Sequence, residues 1–274
     1  MNLASPSQVK AWCQKNGFHP NKVLGQNFLV DRNALEGILD CAGVVSDEAV
    51  LEVGPGLGAL TEGLLSRGAI VTAVEKDPVL ADRLAEALGQ PAGLTVVKGD
   101  ALDLAKAGAL DGFQKMVSNL PYQAGTRILL ELIKRIDLPA ESGIRVPETI
   151  VILVQTEVAE RLAAGPGSKT RGLAGVWAQL DYEVKIVHAV KACCFWPRPD
   201  VESSVVRLTR HHRNDTLSAA ERGTFRRLVK QAFEHRRKQL GSIFKGIIQS
   251  TARAEELENE EWLELARGLS DENA

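Results

Sequence analysis

The chain has 274 residues, 45% apolar and 25% charged, with 33 basic against 35 acidic side chains and a net charge of −2. These values exclude a disordered or membrane-spanning chain and leave room for one large soluble domain plus a small one. Cys13, Cys41, Cys193 and Cys194 lack metal-ligand spacing and the N-terminus lacks a secretory layout, so a cytoplasmic protein with no bound metal is expected, with Cys193 and Cys194 as two buried or half-buried thiols.

Ser5-Pro6 opens a first short helix that Gly17 ends, and a turn of glycine and amides among apolar residues follows over Lys22–Leu29. Asp31 caps an amphipathic helix carrying Leu35, Ile38, Leu39 and Ala42, which closes near Gly43. From residue 49 strands and helices alternate, the mark of a doubly wound, mostly parallel α/β sheet. Strands are expected over Ala49–Val53, Ile70–Val74, Leu94–Val97, Lys115–Ser118 and Thr149–Val154, with helices from Ala59, Asp77-Pro78, Thr126 and Glu157 between and after them. Leu138–Pro147 and Gly165–Lys169 read as surface loops, and Leu173–Leu180 as a helix. Antiparallel strands Glu183–Val190 and Ser203–Leu208 finish a seven-stranded sheet, joined by a stiff loop, Phe195–Val201, in which prolines restrict the backbone. The division expected is a catalytic domain over 1–210, with 1–30 as its arm and lid, and a small all-helical domain over 211–274 that a Ser218/Glu221 capping box begins.

Four strand ends then present Gly54, Glu75, Asp100 and Asn119 on one edge of the sheet, where open α/β sheets hold their ligands. Gly54-Pro55-Gly56-Leu57-Gly58 spares a tight turn any Cβ, a feature shared by dinucleotide and methyl-donor sites. Glu75 suits a ribose diol, whose hydroxyls donate to its two oxygens, and Asp100 suits an exocyclic amine. Asn119-Leu120-Pro121-Tyr122 resembles the (D/N/S)-P-P-Y motifs of enzymes that methylate exocyclic amino nitrogens. There the Asn119 side-chain oxygen and the Leu120 carbonyl accept the two N–H bonds of the amine, Pro121 fixes the turn, and Tyr122 offers a ring face to the base. Positive charge gathers between Lys185 and Lys245, while Glu255, Glu256, Glu258, Glu260, Glu261 and Glu264 crowd the C-terminus, so the near-zero net charge conceals a basic face.

Over almost its whole length the chain resembles the ribosomal RNA adenine N6,N6-dimethyltransferases of the KsgA family. The residues that carry the resemblance are Leu24–Leu29, Leu51–Thr61, Gly99–Ala101, Asn119–Tyr122, Gln155–Leu162, Phe195-x-Pro-x-Pro-x-Val-x-Ser203 with Arg207-Leu208, and Arg236-Arg237-Lys238-x-Leu240. The resemblance implies a class I, Rossmann-like methyltransferase fold and S-adenosylmethionine as donor. Donor contacts are implied at Gln26, Asn27, Leu29, Gly54, Gly56, Glu75, Lys76, Asp100, Ala101 and Asn119. It further implies that Phe195 stacks on the target adenine opposite Tyr122, with Trp196 as the alternative ring. RNA contacts are expected at Lys22, Arg198, Arg236, Arg237 and Lys238. The partner implied is 16S rRNA in the 30S subunit or its precursor, met by a monomer. Arg171 and Gln123 depart from the family pattern, which usually has a tyrosine or similar residue and an asparagine there; neither is expected to touch the chemistry directly, and their bearing on RNA docking is open. Two further readings of the same residues are a 23S rRNA adenine methyltransferase of the resistance type and a non-catalytic assembly or transcription factor. An NAD-dependent oxidoreductase leaves the fourth-strand motif without a role.

Overall fold

In a computed structural model of the chain, which describes residues 3–21, 24–138 and 144–271, the alternation becomes one seven-stranded sheet with helices on both faces. After α1 (Pro6–Lys15), β1 (Phe28–Leu29) and α2 (Arg32–Ala42), the chain runs β2 (Ala49–Val53), α3 (Ala59–Ser66), β3 (Ile70–Glu75), α4 (Pro78–Ala87), β4 (Leu94–Lys98), α5 (Ala101–Lys106), β5 (Lys115–Asn119) and α6 (Gly125–Lys134). Next come β6 (Thr149–Gln155), α7 (Thr156–Ala163), α8 (Leu173–Gln179), β7 (Tyr182–Val190), β8 (Phe195–Trp196) and β9 (Ser203–Arg210). Three helices end the chain: α9 (Ala219–Glu234), α10 (Leu240–Ile243) and α11 (Asn259–Asp271). The strand order is β4-β3-β2-β5-β6-β9-β7, parallel as far as β6, with β9 antiparallel to both its neighbours.

Local chemistry sets the helix starts. Asp31 accepts from the Ala34 amide at 2.9 Å, and Asp77 accepts from the Val79 amide at 2.9 Å with Pro78 at the first helical position. Gly43 closes α2 in the left-handed region at φ 53°, and the Ser218/Glu221 capping box opens α9. Alternation along the central strands splits the core between the two faces of the sheet. Ile150 and Ile152 join Leu51, Met116 and Leu208 on one face, whereas Val151 and Leu153 join Val50, Val71 and Val117 on the other.

Three elements depart from the sequence expectation, one of them β1, whose two residues close what was expected to be a turn. Ala101–Lys106 is a helix, too short for periodicity to announce and started by Asp100, which accepts from the Leu102 amide at 2.9 Å. Phe195-Trp196 is a strand rather than loop, pairing antiparallel with β1 through Leu29↔Phe195 and Phe28↔Trp196. No local pattern foretells a two-residue pairing between segments about 170 positions apart. Cys193 is exposed and Cys194 half-buried, its thiol pushed up to about 11 chiefly by burial.

The C-terminal helices gather around the fully buried Trp262 and Phe225 and share that core with Leu130 of α6 and with Val176, Trp177 and Leu180 at α8. Burying each such side chain contributes roughly 1.5–3 kcal/mol. A buried ion pair fixes α9 in place, with Arg222 Nη1 2.9 Å from Asp181 Oδ1 and both side chains almost wholly covered. Burial pushes the Asp181 carboxyl up and the Arg222 charge opposes this. Arg226 pairs with Asp137 and lies 5.2 Å over the Trp177 ring.

Candidate active site

The cleft begins where the sheet comes apart. β2 and β3 stay paired up to Val53↔Val74, but β2 and β5 pair only at Val50↔Lys115 and Leu51↔Met116. Beyond Met116 the two strands diverge, at the position where the strand order reverses and a crevice forms. The Val53 amide, without a β5 carbonyl, donates instead to Ser118 Oγ at 2.9 Å, which keeps the parting free of an orphaned donor. The resulting cavity, of about 170 Å³, is lined by all four expected strand ends, Gly54, Glu75, Asp100 and Asn119, and by Tyr122.

One wall is a cradle in which Gly54 and Gly56 carry no side chain. Gly54 and Gly56 have φ of 70° and 59°, in the left-handed region that glycine adopts without strain. A Cβ on Gly56 would lie 3.0 Å from the Phe28 ring. Behind the cradle Glu75 accepts from the Gly56 amide at 3.1 Å and the Asp77 amide at 2.8 Å, one bond on each oxygen. A carboxylate has about four acceptor positions, so each oxygen keeps room for one further donor. Burial pushes the Glu75 carboxyl up, and hydrogen bonds from neighbouring backbone amides oppose it. Glu52, which the sequence reading passed over, also lines the cavity and accepts from Thr61 Oγ1 at 2.7 Å. It is 1% exposed, and burial pushes its carboxyl up to about 8. An acidic residue inside an apolar strand, two places before a glycine turn, was the available signal.

On the next strand end Asp100 receives Lys76 Nζ at 2.8 Å, and that hydrogen bond holds its carboxyl below the usual range. Lys76 and Ala101 line the cavity beside it.

The facing wall is the Asn119–Tyr122 turn. Asn119 Nδ2 donates to the Asn27 carbonyl at 3.2 Å, which assigns the amide's orientation and leaves Oδ1 as an acceptor. Neither Asn119 Oδ1 nor the Leu120 carbonyl accepts a hydrogen bond from any described residue, although the Leu120 amide is satisfied by the Leu153 carbonyl at 3.1 Å. The turn is held from below, since the Pro121 carbonyl accepts from the Gly125 amide at 2.7 Å. Tyr122 lines the cavity with its hydroxyl 2.7 Å from Ser203 Oγ, and burial pushes the phenol up.

Residues 24–29 of the N-terminal arm line the cavity as well. Gln26 accepts from the Asn21 amide at 2.7 Å and donates to Asp77 Oδ2 at 2.9 Å, so it fastens the arm to the start of α4 with both ends of its amide. Asn27 lines the cavity, its Nδ2 donating to the Gly25 carbonyl at 3.2 Å. Leu29 lines it too and is buried through its pairing with Phe195. Phe195 itself is 3% exposed, sits in the core with Leu29, Val190 and Val205, and is not among the cavity-lining residues. Trp196 is half-buried and stacks on Phe28 at 6.4 Å and 26°.

Among the described residues the expected RNA contacts lie on two stretches of chain, after β8 and after α9. Lys22 lies outside the described residues. Arg198 is exposed on the segment after β8, and Arg237 and Lys238 are exposed after α9, with no ion pair to any described residue. Arg236 is half-buried and donates to the Lys169 carbonyl, with its Nε 3.5 Å from Glu255 Oε2. Arg171 is 1% exposed and donates to Asn259 Oδ1 at 3.1 Å, tying its loop to the start of α11. Gln123 is exposed at the rim of the cleft.

A mostly parallel sheet with one antiparallel insertion, a glycine cradle at its switch point, an acidic second strand end and the Asn119–Tyr122 turn facing them together mark a Rossmann-like, class I methyltransferase. Residues 17–264 match the family model described as "Ribosomal RNA adenine dimethylase". Among relatives, "Ribosomal RNA small subunit methyltransferase A" of Leifsonia xyli is 40% identical over 245 residues, covering 88% of this chain and 84% of that protein. The protein of the same name from Mycobacterium tuberculosis is 39% identical over 251 residues, covering 89% and 76%. Among solved structures, a dimethyladenosine transferase from Plasmodium falciparum superposes with a TM-score of 0.75 at 21% identity, over 89% of this chain and 97% of the other. The 23S rRNA methyltransferase ErmE superposes with a TM-score of 0.66 at 25% identity, over 89% and 99%. The chain belongs to the ribosomal RNA adenine dimethylase family and is a methyltransferase.

Proposed function

We propose that this enzyme transfers methyl groups from S-adenosylmethionine to N6 of two adjacent adenines in a loop near the 3′ end of 16S rRNA, giving N6,N6-dimethyladenosines as the small subunit matures in the cytoplasm. The observation that carries the reading is the pair of unengaged acceptors, Asn119 Oδ1 and the Leu120 carbonyl, on the wall opposite the glycine cradle. Identity near 40% to proteins named for the small subunit, against 25% to the 23S enzyme, favours the small-subunit substrate.

The cavity fits the donor on its own chemistry. Gly54 and Gly56 leave backbone where a side chain would intrude, and Glu75 keeps two acceptor positions for a ribose diol. Asp100, with Lys76 and Ala101 beside it, would hold the donor's adenine amine, and Asn27 and Leu29 would cover it from the arm that Gln26 fastens. When bound, the donor supplies an electrophilic methyl on sulfur.

The remaining work falls to the acceptor wall. The lone pair of an adenine N6 is delocalised into the ring and is a poor nucleophile. Two acceptors holding its two N–H bonds favour a pyramidal nitrogen and stabilise the positive charge that develops on it. No strong base is required, because the alkylated nitrogen is acidic enough to release its proton to water. The target base must leave its stack to reach Tyr122, whose ring face offsets part of that loss. Residues 211–274, with Arg236, Arg237 and Lys238, would form the RNA platform together with Arg198 and Lys22.

Transfer of tritiated methyl groups from S-adenosylmethionine to 30S particles, 50S particles and free 16S rRNA, followed by nucleoside analysis, tests this reading. Label in N6,N6-dimethyladenosine from 30S particles is expected. Label confined to 50S particles, or to a nucleoside other than adenosine, would overturn it.

A further inference from the structure

Tyr122 turns its ring to the cleft and its hydroxyl away from it, to Ser203 Oγ at 2.7 Å. The two residues differ sharply in how firmly they are held. Ser203 is fully buried and opens β9, where it pairs with Gln155 of β6 on one side and Val190 of β7 on the other. The neighbouring residues are tied as well. The Glu202 carbonyl accepts from the Thr156 amide at 3.1 Å, the Glu202 carboxylate accepts from the Ala192 amide at 2.8 Å, and Ser204 Oγ lies 3.1 Å from Thr156 Oγ1. Ser203 Oγ is therefore a fixed point in a central strand. Tyr122 stands half-buried on a turn, at the parting of two strands, with its two side-chain torsions free of ladder constraint. The bond to its hydroxyl sets the direction of the long axis of the ring. A phenolic hydrogen also prefers the ring plane, so the bond biases the tilt.

We propose that Ser203 is a positioning residue for methyl transfer: its hydroxyl holds the Tyr122 ring at the tilt at which its face meets the extruded base. The inference rests on Tyr122 receiving the acceptor base, and it adds the reason why a buried serine stands at the start of β9. Two hydroxyls that merely satisfied one another would have no effect on the ring or on turnover.

The chain has two tyrosines, Tyr122 and Tyr182, so protein labelled with 3-fluorotyrosine gives two ¹⁹F resonances. Tyr182 is buried and donates to the Pro147 carbonyl at 2.7 Å, away from the cleft, and serves as the internal reference for folding. Ser203→Ala is expected to move the Tyr122 resonance alone, and Tyr122→Phe assigns it. On 30S particles Ser203→Ala is expected to lower kcat about tenfold, equivalent to about 1.4 kcal/mol, with the KM for S-adenosylmethionine within twofold. In a Tyr122→Phe background the same substitution should cost nothing further, because the bond is already gone. An unmoved Tyr122 resonance, movement of both resonances, or a full second loss in the Tyr122→Phe background would each overturn the inference. Wild-type protein that methylates no rRNA would instead overturn the proposed function, while the resonances would still decide whether Ser203 holds the ring.

Discussion

Replacing Asn119 by alanine removes one of the two acceptors and tests the chemistry most directly. The side chain makes two separable contributions. Its Oδ1 would accept from a nitrogen gaining positive charge, and hydrogen bonds to charged groups contribute roughly 1.5–3 kcal/mol. At about 1.4 kcal/mol per factor of ten, this predicts a fall in kcat of about ten- to a hundredfold. Its Nδ2 makes a 3.2 Å bond to the Asn27 carbonyl of the arm, a neutral contact of about 0.5–1.5 kcal/mol, so donor affinity should weaken only a few-fold. The Leu120 carbonyl survives the substitution and leaves residual turnover. Calorimetric titration with S-adenosylmethionine reads the second effect, and single-turnover methyl transfer to 30S particles reads the first. A kcat within about threefold of wild type, or a donor affinity lost a hundredfold with turnover intact at saturation, would refute the division of labour between the two atoms.

Gly56→Ala forces a Cβ into the left-handed region and to 3.0 Å from the Phe28 ring, so donor affinity should fall about tenfold or more in the same titration while the fold persists. Glu52 titrates with a folded pKa of about 8 against an unfolded value near 4.5, so the folded state holds the extra proton between them. The associated stability is fully present below about pH 4.5 and is lost as pH rises through about 8. Glu52→Gln, which can still accept from Thr61, should raise Tm by several degrees at pH 9 and leave it unchanged at pH 4, as thermal melts across pH will show. Charge reversal at the exposed Arg237 and Lys238 should weaken rRNA binding and reduce the salt slope by about two, read in filter-binding titrations over a range of salt. An unchanged slope would remove the helical segment as the RNA platform.

Much of this protein was legible along the chain because its signals are local. Ala59–Ser66, Ala49–Val53 and the Ser218/Glu221 cap stand as expected, since apolar periodicity and capping chemistry act within a few residues. Glycine, acid, acid and amide at four successive strand ends were enough to foresee the cleft, because parallel strands with right-handed crossovers bring their carboxyl ends to one edge. Tertiary structure alone decided what those side chains do to one another. Pairing of Leu29 with Phe195 turned a stiff loop into a strand and buried the ring expected at the base. Burial made Arg171 an internal tie to Asn259 and gave Gln26 the task of fastening the arm rather than facing the cleft alone. The divergence of β2 from β5 set Asn119 Oδ1 and the Leu120 carbonyl free on the acceptor wall, while Ser203, 81 residues away, reached the hydroxyl of Tyr122. Composition and spacing specify which groups arrive at a strand end, but burial and distance between remote segments determine which stay available for a ligand.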